Sequence, residues 1–246
     1  MILFRYIWYS IDNSSPIVLF YLCWLLYALK LWISTRKIPE KTYMPSYISK
    51  INDVINGIKL YLYPYNAQIN PNDAVFLVLD MIEDYKPLYS KSLIKSVIDN
   101  ITLAKQFNVP VVYTKWERTE KDMVGDVVDS KMFWSYYIPK KSCIIRELSH
   151  VISSNDYIIK TKFPNAFAES LNNVSLKEIM GKRKNLIICG TWTESCVAHT
   201  ADVASELNIR PYILKNACCG HKPFSSFSMI IMGMLHSEIV KSVSFM

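Results

Sequence analysis

Three polar residues stand just beyond apolar runs. Asp80 directly follows AVFLVL (74–79), Lys160 ends DYIIK (156–160), and Cys196 lies shortly after NLIICG (185–190), in the segment TWTESCV. A cysteine can attack a carbonyl as thiolate, a carboxylate can take the thiol proton and later return it to a leaving group, and an ammonium can favour the charged forms. Each residue alone has an ordinary reading, respectively a helix cap, a solvated lysine and a small buried hydrophobe. What gives the set chemical meaning is placement, because in an open α/β sheet ligands bind beyond the carboxyl ends of the strands. Thr193 is a plausible N-cap for the stretch TESCVAHTADVASEL. That puts Cys196 in a first helical turn, where the helix dipole favours thiolate.

The runs that must position these residues are AVFLVL, VPVVYT (109–114), DYIIK, NLIICG, RPYIL (210–214) and EIVKSV (238–243). Continuous apolar runs of this length predict strands buried on both faces. Between them LYSKSLIKSVIDNITLAKQF, SLKEIMGK, TESCVAHTADVASEL and FSSFSMIIMGML have helical spacing. The alternation predicts an α/β fold, a six-stranded, mostly parallel sheet between two helical layers, over 72–246. Residues 116–155 form a long irregular excursion that includes Phe133 and Trp134, and with Trp192 these could wall an apolar pocket for a small planar substrate.

Ahead of this domain, residues 17–33 are apolar except for Lys30, at the lower limit of a spanning helix, with Arg36, Lys37 and Lys41 following. The basic C-terminal flank predicts a membrane anchor with the rest of the chain cytoplasmic; the alternative is a cytoplasmic protein in which the run is a core helix. Residues 34–71, with four prolines, read as a connector carrying one short helix near Ser49–Lys59. The net charge of +7 in 246 residues is not concentrated enough for a nucleic-acid groove. The six cysteines lack the spacing of a disulfide framework or a zinc site.

AVFLVLDMIEDY, KTKFPNAF and GTWTESCVAHTADVA resemble, in order and separation, the three motifs of the isochorismatase-like cysteine hydrolases. The resemblance implies a three-layer sandwich, with Asp80 as general base, Lys160 as the cationic residue and Cys196 as a nucleophile forming a thioester. It also implies an oxyanion hole from backbone N–H groups around Trp192 and Cys196, a cis peptide at Thr191–Trp192, a homo-oligomer, and a small-molecule substrate with no cofactor. Two positions depart from the pattern. Ile82 stands where the family commonly has Gln, and the lysine motif aligns on Lys160 or, one residue too near, on Lys162. The four histidines, at 150, 199, 221 and 236, leave the segment after VPVVYTK without one, so the metal-binding cluster of the nicotinamidase branch is not expected. His199 reads as an ordinary packed histidine. Because the name-giving branch can dispense with the cysteine, Cys196 points to a carbon-nitrogen bond in an amide, ureido or carbamoyl group. Enol-ether hydrolysis and a catalytically silent scaffold are the alternatives.

Overall fold

A computed structural model describes residues 47–119 and 138–246. The expected helix 17–33 and the aromatic pair Phe133 and Trp134 lie outside the described residues. Among the described residues no helix is long and apolar enough to cross a membrane.

Helix α1 (Tyr47–Leu62) leads into β1 (Tyr65–Ile69) and β2 (Ala74–Leu79), followed by α2 (Lys91–Gln106), β3 (Val111–Trp116) and β4 (Tyr157–Thr161). Then come α3 (Leu176–Met180), β5 (Asn185–Thr191), α4 (Ala198–Glu206), β6 (Arg210–Cys219), α5 (Phe224–Leu235) and β7 (Glu238–Phe245). The strands form one sheet in the order β1-β7-β6-β5-β2-β3-β4, with every pairing parallel. All six strands expected from apolar runs are present, but the sheet has seven. The additional strand, β1, comes from the segment read as a connector. Its sequence YNAQI turns only Ala67 and Ile69 inward, which suffices at an edge strand paired to β7 alone and leaves no continuous apolar run to read. The short helix expected near Ser49–Lys59 is the longer α1, which packs against α5.

β2 is buried at every residue, as its sequence AVFLVL requires of a central strand. α2 begins at Ser90, whose side chain accepts the Leu93 N–H, and buries Leu93, Val97, Ile101 and Ala104, one face of a 3.6-residue period. The chain leaves β2 for β3 and β4 on one side, and returns to β5, β6 and β7 on the other. The strand order therefore reverses between β2 and β5, where an α/β sheet opens a crevice at its carboxyl edge. Gly190, at φ +116, lets the two strands close at that edge: a Cβ there would lie 2.0 Å from the Leu79 carbonyl oxygen.

Candidate active site

Asp80 is the first residue beyond β2 and is 1% exposed. Its backbone is left-handed, at φ +47, a conformation that aspartate tolerates better than most residues and that re-aims the side chain. Thr114, on the neighbouring β3, fixes it twice: the Thr114 hydroxyl oxygen accepts the Asp80 N–H at 3.0 Å and its O–H donates to Asp80 Oδ1 at 2.6 Å. The Asp80 carbonyl accepts the Ile82 N–H at 2.8 Å and the Tyr89 hydroxyl at 3.1 Å. Burial raises the carboxyl from 3.8 to about 6, against the opposing pull of hydrogen bonds from Thr114 and Cys196.

Cys196, 4% exposed, comes from the other side of the strand-order reversal. The segment after β5 is not the regular capped helix expected. Thr193–Val197 is a π-turn in which the Ser195 and Val197 N–H groups both donate to the Trp192 carbonyl at 3.0 Å, and α4 begins only at Ala198. Thr193 does not cap it: its hydroxyl is buried without a hydrogen-bond partner among the described residues. The wider turn sets the buried Cys196 thiol beside the Asp80 carboxyl, near enough for each group to shift the titration of the other. Burial, then the neighbouring Asp80 carboxylate, push the thiol well above its ordinary value; the Trp192 backbone and Ser195 act weakly the other way. The helix-dipole expectation of a resting thiolate is therefore reversed. A neutral thiol rests beside a carboxylate that can receive its proton.

The peptide between Thr191 and Trp192 is cis. The Trp192 ring stacks on His221 with centroids 4.5 Å apart and meets Tyr85 edge-on at 5.2 Å. It packs on a small apolar cluster of Ile82, Tyr85 and Trp116. Ile82, fully buried there, thus serves packing where a glutamine would carry a polar group. His199 Nδ1–H donates to the Ser195 carbonyl at 2.8 Å, a prop under the π-turn consistent with its reading as a packed histidine.

Lys160 is the penultimate residue of β4, two strands from Asp80, its backbone N–H held by Asn172 Oδ1 at 3.1 Å. Its ammonium does not join Asp80 and Cys196. It lies 3.6 Å from Glu117 Oε2, with a side chain 42% exposed, and the other oxygen of Glu117 binds Lys115 at 2.9 Å. Lys162 places its ammonium over the Phe163 ring, 5.5 Å from the centroid. The structure therefore unites two of the three expected residues. It adds two that the sequence reading missed, Thr114 and Tyr89. Thr114 ends the run VPVVYT on the strand beside Asp80, and that position was its only signal. Tyr89 had none. Among the described residues no group of three His, Cys, Asp or Glu side chains could hold a metal ion.

A cysteine hydrolase from Pseudomonas syringae pv. phaseolicola 1448A has a similar fold, at a TM-score of 0.58 and 17% identity, covering 74% of this chain and 92% of its own. The MAR1 ribonuclease of Caenorhabditis elegans (TM-score 0.55, 16% identity, 71% of this chain and 79% of its own) is similar too. So is the N-carbamoylsarcosine amidase of Thermoplasma acidophilum (0.52, 17%, 70% and 96%). No curated protein sequence matches the chain. The isochorismatase domain family matches residues 74–234, the span that carries both Asp80 and Cys196, and the chain belongs to that family.

Proposed function

We propose that the chain is a cysteine hydrolase that cleaves a carbon-nitrogen bond in a small amide, ureido or carbamoyl substrate. The observation that carries this reading is the adjacent pair of Asp80 and Cys196, buried together where the strand order reverses. As the sulfur attacks the substrate carbonyl, Asp80 takes its proton. The negative charge moves to the carbonyl oxygen, toward the backbone N–H groups of Trp192 and Cys196. Asp80 then gives the proton to the leaving nitrogen, the carbon-nitrogen bond breaks, and a thioester remains. Water attacks the thioester with Asp80 again as base, releasing the acid and restoring the thiol. A carboxyl near 6 suits both directions of proton transfer at neutral pH.

Lys160 enters as the positive charge that the family motif assigns it. Adjacent strands lie about 4.8 Å apart, so a lysine side chain turning from Glu117 across β3 can approach Asp80 once substrate occupies the crevice. The likeness to an N-carbamoylsarcosine amidase supports a carbamoyl or amide substrate. A panel of small amides, ureides and carbamoyl compounds, assayed for released ammonia or amine, tests the reading. Turnover of one compound, lost in Cys196→Ala, is expected. Turnover that persists in Cys196→Ala would overturn thioester chemistry in favour of direct attack by water.

A further inference from the structure

The π-turn that carries Cys196 has no side-chain cap of its own, and the hydroxyl best placed to supply one, Thr193, is without a partner among the described residues. A different side chain of the turn reaches outward. Glu194 Oε1 accepts the backbone N–H of His221 at 2.8 Å and lies 3.5 Å from His221 Nδ1. The other oxygen, Oε2, is buried with no hydrogen-bond partner and rests over Gly220, where a Cβ would come within 1.9 Å of it. Gly220 and His221 follow the end of β6, so the carboxylate joins the nucleophile turn to the exit of the next strand. The same loop places the His221 ring on Trp192, the residue that opens the nucleophile turn.

A carboxylate with one oxygen buried and unpartnered is costly, and nothing in the turn requires an acid between Thr193 and Ser195. We propose that Glu194 is a positioning residue: through the His221 N–H, over a surface that only glycine at 220 leaves open, it tethers the turn so that the Cys196 thiol stays on Asp80 and out of solvent. The inference deepens the reading of Cys196 as nucleophile and rests on it for its purpose. The tether itself is measurable without turnover.

Three substitutions separate the tether from its surroundings. Glu194→Ala removes it. Gly220→Ala leaves Glu194 in place but puts a methyl where its carboxylate lies, and since that group ends a flexible side chain, it is displaced rather than the fold. Glu194→Gln keeps an oxygen able to accept the His221 N–H. The readout is the rate at which iodoacetamide alkylates each cysteine, resolved by peptide mass spectrometry. Losing the acceptor of the His221 N–H should speed Cys196 alkylation by about tenfold or more in both alanine variants. The double variant should be no faster than either single one, because both remove one contact. Glu194→Gln should keep the parental rate, and Cys189 and Cys218, buried in the sheet, should stay protected in all.

Unchanged Cys196 rates in the alanine variants would overturn the proposal. So would a rise at Cys196 matched by Cys189, which reports loss of the fold rather than release of the turn, or a Gln variant as reactive as the Ala one. Should Gly220→Ala not fold, the comparison of Glu194→Ala with Glu194→Gln decides alone. A parental protein inactive on every amide, with this alkylation pattern intact, would defeat the hydrolase reading and leave the tether standing.

Discussion

Asp80→Asn should abolish turnover and at the same time stabilise the protein at neutral pH. The carboxyl titrates at 3.8 when exposed and at about 6 in the fold. Below 3.8 it is protonated in both states and contributes nothing. Between 3.8 and about 6 the native state keeps a proton that the unfolded chain has lost, so stability falls as pH rises across that window; above it the full cost is present, about 3 kcal/mol. Asparagine has the same shape, and its carbonyl oxygen can still accept the Thr114 hydroxyl. Its amide nitrogen, left facing a poor acceptor in the Cys196 sulfur, returns about 1 kcal/mol of the gain. The net is about 2 kcal/mol, or roughly 4–8 °C in melting temperature for a domain of this size. Thermal unfolding of both proteins at pH 7.5, 6, 5 and 4 is the assay. The advantage of the variant should shrink steadily and vanish by about pH 4, where the cost of the native carboxylate falls under about 1 kcal/mol. A variant less stable than the parent at pH 7.5, or an advantage independent of pH, would refute the reasoning.

Two further outcomes are expected. His236 is held below its ordinary value by burial, with Asp202 only partly compensating. Its contribution to stability is therefore full above 6.5 and lost as pH falls from there toward the folded value, and His236→Gln should flatten that slope in unfolding curves taken from pH 7.5 to 5. A chain beginning at residue 46 should fold, whereas one beginning at Asn70 loses α1, the β1–β7 pairing and the burial of Ala67 and Ile69; a loss of several kcal/mol is expected, read as a lower urea midpoint.

The sequence was most legible where burial on both faces forces continuous apolar runs. β2 and β5 read directly from AVFLVL and NLIICG, and the ends of those runs located Asp80 and Cys196. It was least legible where structure depends on a neighbour. β1 needs only two inward residues because β7 supplies the rest of the edge, so YNAQI has no run to find. The π-turn at Thr193–Val197 has the same residues as the start of a regular helix, and only the packed site selects the wider form. The thiol's protonation followed the same rule: proximity to a helix start suggested a thiolate, and burial beside a carboxylate outweighed it. Lys160 lies in the expected strand, one residue before its end at Thr161. Its partner Glu117, on the adjacent β3 side, could not be read from spacing.

Hydrolysis through a thioester requires that the Asp80–Cys196 pair make Cys196 an acyl acceptor. Mixing the protein with p-nitrophenyl acetate and following p-nitrophenolate tests it most directly, with the acetylated residue located by peptide mass spectrometry. A burst of about one equivalent per chain is predicted, with acetyl on Cys196 as a thioester removed by hydroxylamine, and no burst in Cys196→Ala or Asp80→Asn. A burst that survives Cys196→Ala, or acetyl found only on the exposed Cys143, would contradict it.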